Sequence, residues 1–256
     1  SMSMSGGAGR NEIGRAERPR PASGSAPAAV GDRVYVDDGI AIRAFDRLSG
    51  RPVWSMPAGG TDLSMASMRM VAASDDAVVA FSTQSGSMAR PGIGRVTCID
   101  PATGMMRWES RIDRIDGRND LDGMVGQGAP IIVDGRVIIA ARRTSPRLET
   151  VSWLLALDLE QPSPASWARV IATSGSARMG GSRSADAPVL AGGVLYLSTS
   201  TGAVAAVDPW DGLVRWVRRF PVPVRDVATA TGPFDVLTPA VVGDRVFTVS
   251  PDHSRI

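Results

Sequence analysis

One short pattern recurs five times along the chain and constrains the fold more than any other feature of the sequence. Each copy is an apolar run, a turn rich in glycine and aspartate, and a second apolar run, which is the signature of a β-hairpin. Four copies begin with proline, which fits the first residue of a strand because its missing N–H costs little there. The copies occupy 27–36, 71–80, 130–139, 188–197 and 239–248, and the one at 71–80 starts with Val71 instead of proline.

A second element follows each complete hairpin. In the first, second and fourth repeats it reads AFDRLSGRPVW, CIDPATGMMRW and AVDPWDGLVRW. The aspartate can cap a tight turn and the glycine supplies its positive φ, while the tryptophan offers a large apolar surface to a neighbouring unit. The third repeat lacks the glycine, and its tryptophan arrives one residue late. The predicted structural residues are Asp46, Gly50 and Trp54; Asp100, Gly104 and Trp108; Asp158 and Trp167; and Asp208, Gly212 and Trp216.

Two hairpins per repeat make a four-stranded antiparallel sheet, and the chain shows no helical periodicity. An all-β fold is therefore predicted, a β-propeller of four-stranded antiparallel blades. Residues 1–26 are rich in Gly, Ser, Ala, Pro and Arg and are predicted to be a disordered tail or linker. No apolar run is long enough to span a membrane. The predicted blades are about 27–57, 69–112, 128–171 and 185–219, with an incomplete one at 236–256.

The Ala-x-Asp-x-x-Thr-Gly-x-x-x-Trp pattern resembles the tryptophan-docking motif of pyrroloquinoline-quinone-type propeller repeats. That superfamily includes quinoprotein dehydrogenases and the scaffold lipoprotein of outer-membrane protein assembly. The resemblance covers residues 27–256 and implies about eight blades. About four and a half are expected here, so further blades are expected beyond Ile256. A location in the cell envelope or periplasm is suggested by the resemblance alone, and the sequence leaves the compartment open.

Strand parity predicts where binding takes place. In a four-stranded blade with strands A to D, the A–B and C–D turns lie on one face, which we call the short-turn face. The B–C loops and the connections between blades lie on the other, the long-loop face. Insertions confined to one face of a rigid scaffold mark the binding surface, so protein partners or a small ligand are expected on the long-loop face. The long segments all fall there: 57–68, 83–94, 113–127, 142–152, 172–184 and 220–235.

Carboxylates and arginines on those segments are weaker candidates for binding. Asp116, Asp120 and Asp122 lie close together in an Asp- and Gly-rich stretch. Their oxygens suit calcium, but the spacing does not match an EF-hand loop, so turn formation is the preferred interpretation and no metal site is predicted. The pairs Arg142–Arg143 and Arg218–Arg219 either recognise acidic ligands or are simply solvated.

The single cysteine and the single histidine limit the catalytic chemistry that the chain could perform. Cys98 occupies the alanine position of the motif, where packing is favoured over a reactive thiol. His253 is interpreted as a surface turn residue, so no catalytic residue is predicted. All 28 basic residues are arginine, nearly balanced by 26 acidic ones. Without aromatic residues interleaved among the arginines, a nucleic-acid partner is not expected.

Two functions remain. The favoured one is a non-catalytic binding or scaffolding propeller without a cofactor. The alternative is a piece of a quinone- and calcium-dependent dehydrogenase, for which the resemblance implies pyrroloquinoline quinone, calcium, adjacent cysteines in a vicinal disulfide, a tryptophan platform and a carboxylate-rich calcium site. The chain departs from that pattern because it has only one cysteine.

Overall fold

A computed structural model describes residues 26–57, 68–84, 93–117, 121, 123–144, 149–174, 187–199, 201–219 and 238–248. The first blade contains β1 (Ala28–Val30), β2 (Arg33–Asp37), β3 (Ala41–Asp46) and β4 (Pro52–Pro57). The second contains β5 (Met68–Ala73), β6 (Val78–Gln84), β7 (Ile93–Ile99) and β8 (Met106–Arg111), followed by a 3-10 helix (Ile112–Gly117) and the short β9 (Val125–Gly126). The third contains β10 (Ile131–Val133), β11 (Arg136–Thr144), β12 (Thr150–Asp158) and β13 (Trp167–Ser174). The fourth contains β14 (Val189–Ala191), β15 (Val194–Thr199), β16 (Ala203–Val207) and β17 (Val214–Arg219), and β18 (Ala240–Val242) and β19 (Arg245–Phe247) begin a fifth.

Each of the first four repeats forms an antiparallel sheet whose strands A to D follow one another in chain order. The third sheet gains an additional strand because β9 pairs with β11. β18 and β19 form a two-stranded sheet corresponding to strands A and B of a fifth blade. The prediction of an all-β propeller built from four-stranded antiparallel blades is confirmed.

The apolar core lies between successive blades. Leu155 of blade three belongs to a cluster shared with blade two, whereas its neighbour Leu154 belongs to one shared with blade four. Side chains on a strand alternate between the two faces of its sheet, so the C strand β12 is buried on both sides. A third cluster joins blades one and two around Tyr35 and Ile99. Each inner blade is therefore stabilised by the blade on either side of it.

The predicted tail, residues 1–26, lies almost wholly outside the described residues. The same is true of much of the long-loop face, including 58–67, 85–92, 175–186 and 220–237. In the described part of the chain, no helix is long and apolar enough to cross a membrane.

Candidate functional site

The C–D turn of each blade is held by its motif aspartate. In blade two, Oδ1 of Asp100 accepts hydrogen bonds from the backbone N of Ala102 at 3.0 Å, the backbone N of Thr103 at 2.9 Å and the Thr103 hydroxyl at 2.9 Å. The N–H of Gly104 donates to the backbone carbonyl of Asp100 at 2.9 Å, with the glycine at φ +74°. Because a positive φ is costly for other residues, the glycine closes this turn.

The other blades repeat this turn with one exception. Oδ1 of Asp46 accepts from the backbone N of Ser49 at 2.7 Å, and Oδ1 of Asp208 accepts from the backbone N of Trp210 at 2.9 Å. Blade three has no glycine at this point, yet Oδ1 of Asp158 still accepts from the backbone N of Glu160 at 2.8 Å. The aspartate cap is therefore common to all four complete blades.

Arginines on the D strands bind the second carboxylate oxygen of two of these aspartates. Arg107 donates to Oδ2 of Asp100 at 2.9 Å, and Arg215 donates to Oδ2 of Asp208 at 2.8 Å. The Arg107 contact, together with the bonds from Thr103, lowers the pKa of Asp100 to about 2. Arg215 likewise lowers the pKa of Asp208. These carboxylates are thus committed to the turns.

The motif tryptophans connect one blade to the next. The indole Nε1 of Trp54 donates to the carbonyl of Pro101 at 2.9 Å. Each acceptor is the residue directly after the motif aspartate of the following blade. The other two contacts are Trp108 Nε1 to the Leu159 carbonyl at 2.6 Å and Trp167 Nε1 to the Pro209 carbonyl at 3.1 Å. In the described structure these indoles are inter-blade contacts, which gives the short-turn face a fixed geometry.

The long-loop face carries a packed segment that the sequence analysis treated as a loop. The 3-10 helix (Ile112–Gly117) and β9 (Val125–Gly126) lie in this segment, and its described apolar side chains pack in the cluster between blades two and three. The N–H of Gly126 donates to the hydroxyl of Thr83 at 2.9 Å. A β-carbon at Gly126 would overlap Cε1 of Phe81, so only glycine fits there. The fully buried apolar residues are Ile112, Ile115, Leu121 and Met124. These four apolar positions are the sequence signal from which the packing could have been predicted.

A buried ion pair joins blades one and two at the same face. Nε of Arg69 lies 2.9 Å from Oδ2 of Asp37, and the two side chains are only 8% and 5% exposed. The Nε–H is not aligned for a hydrogen bond, so the contact is an ion pair. Oδ1 of Asp37 also accepts from the backbone N of Gly39 at 2.9 Å. No sequence pattern marked this pair, whose partners belong to different repeats.

The structure describes only some of the remaining sequence candidates. The side chains of Asp116, Asp120 and Asp122, and the whole of His253, lie outside the described residues. Within the described ranges, no three His, Cys, Asp or Glu side chains come together as metal ligands. Arg142 and Arg143 are half-buried at the end of β11, whereas Arg218 and Arg219 are exposed at the end of β17.

Among the described residues, the cysteine and three of the motif tryptophans do not provide the vicinal disulfide and tryptophan platform that the resemblance implies for a quinone site. Cys98 is the sole cysteine in the sequence and is fully buried. Burial raises the pKa of its thiol to about 11, which disfavours the nucleophilic thiolate form. Trp54, Trp108 and Trp167 are already engaged between blades. We therefore derive no redox step from these residues.

Comparison with sequence families gives one match that covers most of the chain. The family model described as outer membrane protein assembly factor BamB matches residues 16–216 and, with a second copy, residues 175–256. No curated protein sequence matches significantly.

Two solved dehydrogenase structures share the fold at low sequence identity. A quinohemoprotein alcohol dehydrogenase from Pseudomonas putida HK5 superposes with a TM-score of 0.55 at 15% identity over 76% of this chain and 34% of its own. A europium-containing methanol dehydrogenase gives a TM-score of 0.51 at 14% identity over 78% of this chain and 44% of its own. BamB from Moraxella catarrhalis matches at 13% identity, with a TM-score of 0.30, over 90% of this chain and 80% of its own. The chain thus spans less than half the length of each of the two dehydrogenases. At such low sequence identity, the similarity to them shows the fold alone.

Proposed function

The chain belongs to the family of the outer membrane protein assembly factor BamB, and on that premise we propose that it is a non-catalytic propeller that binds a partner through its long-loop face. The family name describes a factor in the assembly of other proteins, which supports a protein partner over a small ligand.

The difference between the two faces carries this proposal. On the short-turn face, the aspartate caps fix the turns within each blade, and the indole contacts hold successive blades together. On the long-loop face, the segments between strands vary in length, and Ile112, Ile115, Leu121 and Met124 pack into the core cluster below it. Variable segments on a rigid base are the usual carriers of recognition.

Charge supports an acidic partner. Among the described side chains, arginines outnumber acidic residues at the long-loop face, and the reverse holds at the short-turn face. A surface of one sign attracts and orients a partner of the opposite sign. Apart from the buried Arg69–Asp37 pair, the long-loop face carries Arg43, Arg95, Arg111, Arg114, Arg142, Arg143, Arg218 and Arg219 against Asp38, Glu109, Asp113 and Glu149. The short-turn face carries Asp32, Asp46, Asp75, Asp76, Asp100, Asp134, Asp158, Glu160, Asp208, Asp211 and Asp244 against Arg33, Arg47, Arg51, Arg107, Arg136, Arg169, Arg215 and Arg245.

Photo-crosslinking tests which face binds. A photoreactive amino acid is placed at Arg143 or Arg218 on the long-loop face, and as a matched control at Leu48 or Leu213, which are 90% and 63% exposed on the short-turn face. We expect specific protein adducts from the first two positions only, weakened by salt and by Arg218→Glu with Arg219→Glu. Adducts formed only at Leu48 and Leu213 would contradict the proposal.

The dehydrogenase alternative has a separate test. A ligand that binds the native state at one hundred times its Kd stabilises it by about 2.7 kcal/mol. Addition of pyrroloquinoline quinone with calcium should therefore leave the thermal midpoint of this chain unchanged if it is a binding propeller. A reproducible upward shift that requires both the quinone and calcium would instead favour the dehydrogenase function.

A further inference from the structure

Three hydroxyl groups meet where blades three and four come together at the long-loop face. The hydroxyl of Ser152, on the C strand of blade three, lies 3.4 Å from that of Thr201, in the B–C turn of blade four. The hydroxyl of Thr201 lies 2.8 Å from that of Thr199. Ser152 and Thr199 are 1% and 0% exposed, whereas Thr201 is half-buried. Thr201 is therefore the hydroxyl of this cluster that a ligand can reach.

The donors and acceptors of the cluster allow Thr201 to donate outward. A hydroxyl has one hydrogen and two lone pairs. The hydroxyl of Thr199 accepts from the backbone N of Ala203 at 3.1 Å, and its own hydrogen is directed either to the Ala203 carbonyl or to Thr201. When Thr199 and Ser152 both donate to Thr201, they occupy both of its lone pairs. The hydrogen of Thr201 then points to an acceptor outside the cluster.

Arg142 lies on the face of blade three that meets these hydroxyls. Ala140 of β11 belongs to the core cluster between blades three and four, and side chains on a strand alternate between its faces. Arg142 is therefore on the side of blade four, whereas Arg143, like Ala141, is on the side of blade two. Arg142 pairs in register with Ser152, which places their β-carbons about 5 Å apart.

Arg219 approaches the same hydroxyls from blade four. Val217 of β17 packs against the cluster between blades three and four, so Arg219 lies on the same face of its strand and Arg218 on the opposite one. Arg219 pairs with Ala203, which pairs in turn with Thr199. Arg142 and Arg219 thus flank the hydroxyls from the two blades.

We propose that Thr201, Arg142 and Arg219 form a binding site for one carboxylate group of the acidic partner. This inference rests on the proposed function and deepens it, because it assigns the contact to one cleft of the long-loop face. The Thr201 hydroxyl donates to a carboxylate oxygen. The two guanidinium groups supply further donors, whose fork geometry matches a carboxylate. The negative charge is balanced by two positive charges that face one cleft.

The alternation of the arginines separates this site from a diffuse positive surface. Arg142 and Arg143 are neighbours on one strand, and so are Arg218 and Arg219 on another. Each pair carries two equal charges at the long-loop face, but only one member of each faces the cleft. Long-range attraction depends on all four arginines alike and is screened by salt, whereas a carboxylate in the cleft distinguishes them.

A fluorescently labelled hexaglutamate peptide tests the site on the full chain by anisotropy. We expect saturable binding that Arg219→Gln and Thr201→Val each weaken about tenfold. Arg218→Gln is the matched control and should weaken binding by about twofold or less, and Thr201→Ser, which keeps the hydroxyl, should bind like the wild type. An absence of saturable binding, unchanged binding by Thr201→Val, or equal losses at Arg218 and Arg219 would each overturn the proposal.

Acetate tests the carboxylate chemistry without a peptide. At constant ionic strength, acetate should shift the Nε–H NMR signals of Arg142 and Arg219 and leave those of Arg143 and Arg218 in place. Equal shifts at all four arginines, or a response to inorganic phosphate without one to acetate, would overturn the assignment. The photo-crosslinking experiment keeps this site distinct from the proposed function. Long-loop adducts whose yield Arg219→Gln does not change would overturn the site but not the binding face.

Discussion

The ring of Trp54 lies against Gly104 so closely that a β-carbon on the glycine would come within 2.6 Å of the indole Cδ2. Gly104 also has a φ of +74° and closes the turn by donating to Asp100. Two requirements, backbone conformation and contact with the previous blade, therefore select the same residue. At Gly50 only the backbone conformation requires glycine, because its φ is +68° and nothing lies within 4 Å of its β-carbon position.

The two glycines allow these requirements to be measured separately. Gly50→Ala should lower the free energy of unfolding by about 1–2 kcal/mol, the cost of a left-handed residue with a side chain. Gly104→Ala should cost a further 1–3 kcal/mol or so, because the indole of Trp54 must move away from the added methyl group. Denaturant unfolding of both variants gives the comparison. Equal losses would mean that the indole is not packed on the glycine.

Trp167 should contribute more to stability than the other motif tryptophans, because they are all more exposed. It is 6% exposed and donates to the Pro209 carbonyl. Trp167→Ala should cost about 3–5 kcal/mol, and Trp167→Phe, which keeps an aromatic ring but loses the donor, about 1 kcal/mol. Trp216→Ala is the matched control in this chain and should cost clearly less, because that ring is 37% exposed. The order is checked by urea unfolding; an equal loss at Trp216 and Trp167 would contradict it.

The repeat made the blades predictable, because each copy independently reports the same pairing of apolar runs and the same turn residues. The repeat also predicted that each motif tryptophan faces a neighbouring unit, but it did not predict which carbonyl accepts the indole N–H. Trp108 finds its acceptor at Leu159 even though the turn of blade three has lost its glycine. The position of an acceptor carbonyl depends on how neighbouring sheets stack, and no single repeat contains that information.

The segment after β8 shows a different limit. Its aspartates and glycines are typical of a surface loop, and they led to the prediction of a loop despite the apolar residues between them. Ile115 and Leu121 are nevertheless fully buried in the structure. They share a core cluster with Phe81, whose ring lies directly against Gly126. The composition of such a segment predicts a surface loop because of its polar residues, whereas tertiary packing determines which of its apolar residues are buried.

Gly126 and Phe81 should therefore behave as a coupled pair. Gly126→Ala should detach residues 112–126 from the sheets, because the added methyl group overlaps the Phe81 ring. Hydrogen exchange at the amides of Met124 and Gly126 should become much faster. Phe81→Ala alone should cost about 3–5 kcal/mol but makes room for the methyl group. In that background Gly126→Ala should have little effect, which is a strong non-additivity for neighbouring residues; additive effects would show that the two side chains do not meet.

Asp100 should make the stability of the second blade depend on pH at the acid end. Its bonds with Arg107 and Thr103 lower its pKa in the folded protein to about 2 from the ordinary 3.8. A lowered folded-state pKa gives stability that is present in full above the unfolded-state pKa and is lost as the pH falls through the folded value. The loss should fall between about pH 4 and pH 2.

Arg107→Gln removes the largest cause of the shift, so the carboxyl titration of Asp100, followed by NMR, should move upward in that variant. The melting-temperature difference between wild-type protein and Asp100→Asn should be present at pH 6 and shrink toward pH 2; a difference that does not change with pH would show that the ionised carboxylate is not what holds the turn.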